Sequence, residues 1–244
     1  MKQIALALYD NSDSSFSDVV PHPGISGAIQ ALQASFGSHI NVPAQIFIHG
    51  PVGSGKTLLI KALYNFLRRE TQGGTSRVIL TQMSDPKSEL HGLESMVAMS
   101  KDEVSALSAV LIDDVDKVPD SAANHLWNLW NQLITMGAGL VCSSTVGPEL
   151  IFPENRHLSS RMISGLSLEL TPPDDSDRVL ILDRMAKKRG VRLTHDVISY
   201  LLSRKSRNLK TLEEILGTLD KVSLEEKRRV TLKLVKDLEA GGLV

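Results

Sequence analysis

A chain of 244 residues with a 42% hydrophobic share is long enough for one large domain, or for a core with a small second domain, and apolar enough to fill it. Disorder and repeat arrays are excluded, and 28 acidic against 27 basic residues announce neither a nucleic-acid coat nor an acidic tail. That near-neutral total conceals a division: residues 1–177 hold 11 Lys+Arg and 19 Asp+Glu, a balance of −8, while residues 178–244 hold 16 and 9, a balance of +7.

Cys142 is the single cysteine, so no disulfide forms within the chain, no Cys/His cluster holds a metal, and a reducing cytoplasm is the expected compartment. The start of the chain has no signal-peptide pattern, and no segment approaches the roughly 20 apolar residues that cross a bilayer, so no membrane partner is expected. The seven histidines lack HxxxH or HxH pairing and are expected at surface or helix-end positions.

In chain order, Gln3-Ile4-Ala5-Leu6-Ala7-Leu8 comes first. Residues 1–10 suit an extended peptide for a partner's groove, Gln3 anchoring by its amide while Leu6 and Leu8 fill a pocket; they suit equally a strand laid on the domain itself. Ile25, Ile29, Leu32 and Phe36 recur at helical spacing, and residues 44–48 form a buried strand. A helix carrying Leu58, Leu59, Ala62, Leu63 and Phe66 follows a glycine loop, and further strands are predicted at 77–81, 109–113, 140–144 and 166–170. The helix with Leu126, Trp127, Leu129, Trp130, Leu133 and Ile134 is apolar around more than half its circumference and is predicted to be well buried.

This alternation predicts an α/β fold: a three-layer α/β/α core over residues 11–172 with a five-stranded parallel sheet. Pro172-Pro173 ends the last strand, and residues 173–244 are predicted to be a small all-helical lid. Its expected helix starts are Asp175 or Ser176, Thr194, Asn208 and Thr231.

Gly50-Pro51-Val52-Gly53-Ser54-Gly55-Lys56-Thr57 matches GxxxxGK[ST], after a strand and opening a helix. The glycines at 50, 53 and 55 let backbone N–H groups curve around phosphate oxygens, and the helix opening at Lys56-Thr57-Leu58 adds its positive end. Lys56 neutralises β/γ charge and Thr57 offers a hydroxyl to Mg²⁺. Pro51, Ser54 and Leu58 complete the expected nucleotide-binding stretch for ADP or ATP. Val110-Leu111-Ile112-Asp113-Asp114 is an apolar strand ending in two carboxylates, placed to deliver a Walker B motif: Asp113 for the Mg²⁺ shell, Asp114 to orient an attacking water. Aspartate at the second position is one methylene shorter than glutamate, so slow intrinsic hydrolysis is expected. Arg161, after the fourth strand, occupies the place of an arginine finger presented to a neighbour's nucleotide, and its position alone equally fits a solvated helix face. Lys210, early in a lid helix, has the reach for a β- or γ-phosphate, although lysines are common at such positions.

Together, residues 50–57, Leu111-Ile112-Asp113-Asp114, the Ser143-Ser144 strand end, Leu158-Ser159-Ser160-Arg161, Pro172-Pro173 and Gly190-Val191-Arg192-Leu193-Thr194 resemble the AAA+ module of the bacterial initiator DnaA. The lid stretches Leu209–Leu212, Leu219–Ser223 and Val230–Leu232, with Gln3–Leu8 at the start, are similar to the Hda family of short regulatory DnaA homologues. The resemblance implies a protein that docks on the DNA polymerase sliding clamp through Gln3, Leu6 and Leu8. It further implies that Arg161 is supplied to an ATP-bound DnaA-type initiator, which hydrolyses its ATP and does not fire again. Lys210 falls where the family has its sensor 2 arginine; lysine keeps the charge and loses the bidentate fork. Thr145 stands where the initiator is often acidic, and Asn155-Arg156-His157 only loosely matches the pair preceding the finger. The absence of a helix-turn-helix after the lid makes DNA contact expected only through the complex. Homo-oligomer formation through Arg161, a non-catalytic nucleotide-gated adaptor and a helicase-loader-type ATPase remain open alternatives.

Overall fold

A computed structural model describes residues 14–37, 45–70, 77–83, 107–205, 209–225 and 228–242. Contacts divide the chain into two compact units, Met1–Pro172 and Pro173–Val244. In the first, the elements in order are α1 (Ser26–Gly37), β1 (Gln45–His49), α2 (Lys56–Glu70), β2 (Arg77–Gln82), β3 (Leu107–Asp113), α3 (Ala123–Thr135), β4 (Gly139–Ser144), α4 (Arg156–Ser164) and β5 (Leu166–Glu169). The five strands form one parallel sheet in the order β2-β3-β4-β1-β5.

Alternation along the strands builds two separate cores. Val110 and Ile112 of β3, Phe47 of β1 and Cys142 of β4 face α3 and α4 with Leu126, Trp130, Leu133, Leu158 and Met162. Ala109 and Leu111, Ile46 and Ile48, and Val141 face α1 and α2 with Leu32, Leu59, Ile60 and Leu63. The sheet is thus covered on both faces, the three-layer arrangement that near-continuous apolar strands require. Burial also pushes the Cys142 thiol up, so it serves as a small core residue.

Three details depart from the sequence expectation. Alpha-helix α3 is buried on one side only: Trp130 is buried and its indole donates to Gln45 Oε1 at 3.1 Å, whereas Trp127 stands 36% exposed against the His157 ring. A helix lying on a single sheet face needs one apolar stripe, and the surplus apolar residues fall outside it. His22, expected at the surface or a helix end, lies just ahead of α1, where its carbonyl accepts the Ser26 amide, and is buried. Strand β5 ends at Glu169, though the Leu170 amide still donates to His49.

The second unit contains α5 (Asp175–Lys188), α6 (His195–Tyr200), a π-helical turn at Leu201–Lys205, α7 (Leu209–Glu225) and α8 (Leu232–Ala240). Leu182, Ala186, Val197, Leu201, Leu212, Leu216, Leu219 and Val235 meet in its own core. The first of these helices is capped by Asp174, not by Asp175 or Ser176. Its carboxylate accepts the Asp177 amide while Asp177 accepts the Asp174 amide, a reciprocal box that the extended backbone after Pro173 sets up. Thr231 accepts the Leu234 amide as expected, Thr194 occupies a cap position without a side-chain bond, and Asn208 lies outside the described residues. Among the described residues no helix is long and apolar enough to cross a membrane.

Leu111 is fully buried in the sheet. Leu111→Ala should therefore lower stability by about 2–5 kcal/mol, measured as a shift of the urea midpoint at unchanged slope for the transition of the first unit.

Candidate functional site

Parallel pairing sets the site at the carboxyl ends of β3, β4 and β1, where an open α/β sheet presents its loops. The register aligns His49 with Ser144 and Ile112 with Cys142, so the glycine loop after β1, the Ser143-Ser144 end of β4 and Asp113 of β3 come to one edge. Gly50 has φ 153°, its amide donates to Ser144, and a Cβ there would meet the Leu170 carbonyl oxygen at 2.2 Å. Gly55, at φ 98°, is likewise confined to a backbone that side-chain-bearing residues rarely adopt.

This loop turns polar groups inward. Ser54 is 1% exposed and, among the described residues, its hydroxyl has no hydrogen-bond partner. Lys56 is 6% exposed; its ammonium donates to the carbonyls of Gly50 at 2.7 Å and Pro51 at 3.0 Å. Burial pulls that ammonium below the ordinary lysine value, opposed by the carboxylates of Asp114, Asp113 and Asp116. A buried hydroxyl without a partner and a desolvated ammonium resting on its own loop fit an incoming phosphate, which offers acceptor oxygens and charge to both. Val52 is exposed at the crest of the loop, and Leu58 is 36% exposed on α2.

Asp113 is 2% exposed. The Ser143 hydroxyl donates to its Oδ1, and the Thr57 hydroxyl lies close enough to favour the charged carboxylate. Burial nevertheless raises its pKa above the ordinary aspartate value; the Ser143 bond works against this, the Asp114 charge adds to it, and Thr57 and Lys56 oppose it. A buried carboxylate next to the Thr57 hydroxyl, with Lys56 bonded elsewhere, is a hard-oxygen donor pair suited to Mg²⁺ beside a phosphate. In the sequence, Ser143 figures only as part of the Ser143-Ser144 strand end, with no partner given to it. It links the two acids, since its oxygen also accepts the Asp114 amide at 3.0 Å.

Asp114 lies in the left-handed region at φ 60° and ψ 46°, and its carboxylate accepts from Lys117 Nζ at 2.6 Å. Thr145 donates both its amide and its hydroxyl to Asp116. The acidic group near position 145 is thus supplied by a neighbouring loop. Arg161 lies elsewhere in this unit: on α4, Leu158 and Met162 face the core while Arg161 is exposed, beside Ile163 at 54% exposure. Among the described residues none forms an ion pair with its guanidinium. Asn155 caps α4 by accepting the Leu158 amide at 3.1 Å. Lys210 belongs to the first turn of α7, its side chain outside the described residues, as are Gln3, Leu6 and Leu8.

Fold and site together define a nucleotide-binding P-loop protein of the AAA+ class. Residues 16–169 match the family of the bacterial DnaA ATPase domain, and residues 175–238 match the Hda lid domain. The chain belongs to the bacterial DnaA ATPase-domain family and carries an Hda-type lid. It is 28% identical over 220 residues to the chromosomal replication initiator DnaA of Geobacter metallireducens, covering 87% of this chain and 48% of the relative. An uncharacterized protein of Haemophilus influenzae is 28% identical over 195 residues, covering 79% of this chain and 80% of its own length. The chain spans about half the length of the initiators it matches. Among solved structures, domain III of Thermotoga maritima DnaA gives a TM-score of 0.77 at 24% identity, covering 91% of this chain and 94% of that one. AMPPCP-bound DnaA from Aquifex aeolicus gives 0.69 at 21%, covering 86% and 65%. These two likenesses concern the fold.

Because folding raises the Asp113 pKa, the native state binds this proton more tightly than the unfolded chain does. Its contribution to stability is therefore present below the ordinary aspartate value and lost as pH rises through the raised one. Asp113→Asn should raise the melting temperature of nucleotide-free protein at pH 7, with the difference from the native chain shrinking on acidification. It should also abolish the gain in nucleotide affinity on adding Mg²⁺. Thermal scans across pH, and titrations with and without the metal, measure the two effects.

Proposed function

We propose that this chain is a nucleotide-bound regulator of replication initiation that stimulates ATP hydrolysis by a DnaA-type initiator while docked on the DNA polymerase sliding clamp. The observation that carries the reading is the exposed Arg161, without an ion pair among the described residues, on the DnaA-type ATPase unit, in a chain whose second unit matches the Hda lid domain. An arginine used on its own nucleotide has no need to be held out on α4. One offered to a neighbour does.

In this reading Gly50, Pro51, Gly53, Ser54, Gly55, Lys56, Thr57 and Leu58 hold the phosphates of ADP or ATP. Lys210 adds positive charge from the lid, and Thr57 and Asp113 hold Mg²⁺. The metal supplies charge neutralisation on the phosphates. Asp114 orients water for slow intrinsic hydrolysis. In the initiator's site, a water oxygen bonds to the γ-phosphorus as the bond from that phosphorus to the bridging oxygen breaks. The electron pair leaves with ADP and the water's protons pass to phosphate and solvent. Arg161 enters that site from outside and stabilises the charge on the transferring group, as arginine fingers supplied in trans do. Gln3, Leu6 and Leu8 form the clamp peptide, which keeps the regulator on DNA-loaded clamps, and DNA is reached through that complex.

The test follows ATP hydrolysis by the cognate initiator with this chain, DNA and loaded clamp. Arg161→Ala should reduce the stimulation by about 10³-fold or to background, and Arg161→Lys should restore little of it because the planar fork is lost. AMPPCP affinity should be unchanged in both. Gln3→Ala with Leu6→Ala should remove clamp binding and leave nucleotide affinity intact. Equal initiator rates with and without the native chain would refute the reading.

A further inference from the structure

Asp114 is fixed from three sides. Its amide donates to Ser143 Oγ at 3.0 Å, its carbonyl accepts the Lys117 amide at 3.0 Å, and its carboxylate accepts the Lys117 ammonium at 2.6 Å. The turn responsible is the short 3₁₀ helix Val115–Lys117, whose start is the left-handed Asp114 itself. Val115 is buried in the core beneath it, and Asp116 is tied to the end of β4 through Thr145. With both neighbours of the turn anchored, the three-residue spacing brings the Lys117 side chain back onto Asp114. The Asp114 side chain is 14% exposed and that of Lys117 48%, so one end of the pair is shielded from water while the other stays in reach of it.

This contact competes with the job assigned to Asp114. Orienting a water for attack requires a carboxylate lone pair of full basicity, directed at that water. An ammonium at 2.6 Å occupies one oxygen, draws charge from the other and fixes the rotamer of the group. Lys56 does not do the same, since its ammonium is held by the Gly50 and Pro51 carbonyls. The bond to Asp114 also raises the Lys117 pKa, so the ammonium stays charged across the neutral range.

We propose that Lys117 is a brake on the chain's own ATP hydrolysis, a positioning residue that holds Asp114 away from the attacking water and so prolongs the life of the bound nucleotide. The inference rests on the nucleotide reading of the P-loop given above. It accounts for how a protein with a complete loop, Thr57 and two acids at β3 would serve to present Arg161 instead of turning over its own ATP.

The test uses the full chain as native protein, Lys117→Ala, Lys117→Gln, Lys117→Arg and the Asp114→Ala/Lys117→Ala double variant. Two quantities are measured for each: single-turnover hydrolysis of ATP with Mg²⁺, and the affinity for AMPPCP by calorimetry. Lys117→Ala and Lys117→Gln are expected to hydrolyse about two- to ten-fold faster with AMPPCP affinity within about two-fold of native. Lys117→Arg should keep the native rate, and the double variant should lose the gain. A residue that merely supported the turn would not speed hydrolysis when removed. Intact AMPPCP binding with an unchanged or slower rate in Lys117→Ala overturns the brake alone. Failure of the native chain to bind AMPPCP overturns the nucleotide reading and the brake with it.

Discussion

The site turns on one energetically expensive group, the carboxylate of Asp113, buried at the end of β3. A carboxylate withdrawn from water is tolerated only with hydrogen bonds or a positive charge beside it. A neutral donor, Ser143 on β4, bonds to it and the Thr57 hydroxyl on α2 favours its charge, yet its pKa stays raised. The compensation is incomplete, and what is missing is positive charge. The same desolvation acts in the opposite sense on Lys56. Acid and base therefore face each other across a loop built for phosphate, each less stable as an ion than it would be in water. An entering metal and nucleotide would relieve both, so binding strength is drawn from strain in charge already present in the fold.

Strand order explains why those groups meet. Strand β4 lies between β3 and β1, so its polar end is inserted between the acid strand and the glycine loop. One hydroxyl, that of Ser143, bridges Asp113 and the Asp114 amide, and the next carbonyl, of Ser144, receives the Gly50 amide. The glycine loop and both acids thus meet at two adjacent residues of β4. The exposed arginine follows a separate logic. It lies on the exposed side of α4, a helix secured by the Asn155 cap and by Leu158 and Met162.

Much of the fold was legible in the sequence because hydrophobic period and secondary structure are coupled locally. All five strands fall within one or two residues of their predicted bounds, since a strand buried on both faces is a short apolar run that glycine, proline or charge must terminate. The misjudged features depended on what lay across the interface. The residues of α3 did not disclose that only one sheet face would cover them, so Trp127 was expected inside. The cap at Asp174 rather than Asp175 turned on the backbone direction leaving Pro173. His22 was read as peripheral because burial of a lone polar residue leaves no periodic trace.

At the site, the residues of the loop and the acid strand were readable from spacing alone: phosphate binding demands glycines, a lysine and a hydroxyl in one local run, and local runs are what a sequence preserves. The family of the chain was legible for the same reason. Only the tertiary structure decided the partners of those groups. Ser143 is 30 residues from Asp113 and Thr145 is 29 from Asp116, Lys117 follows Asp114 by three, and each is defined by a contact that parallel register or a left-handed turn creates. Sequence alone thus determined which chemistry is present, because that chemistry is encoded in neighbouring residues. The fold determined how it is held and restrained, because hydrogen-bond partners and desolvation arise only when distant strands are brought side by side.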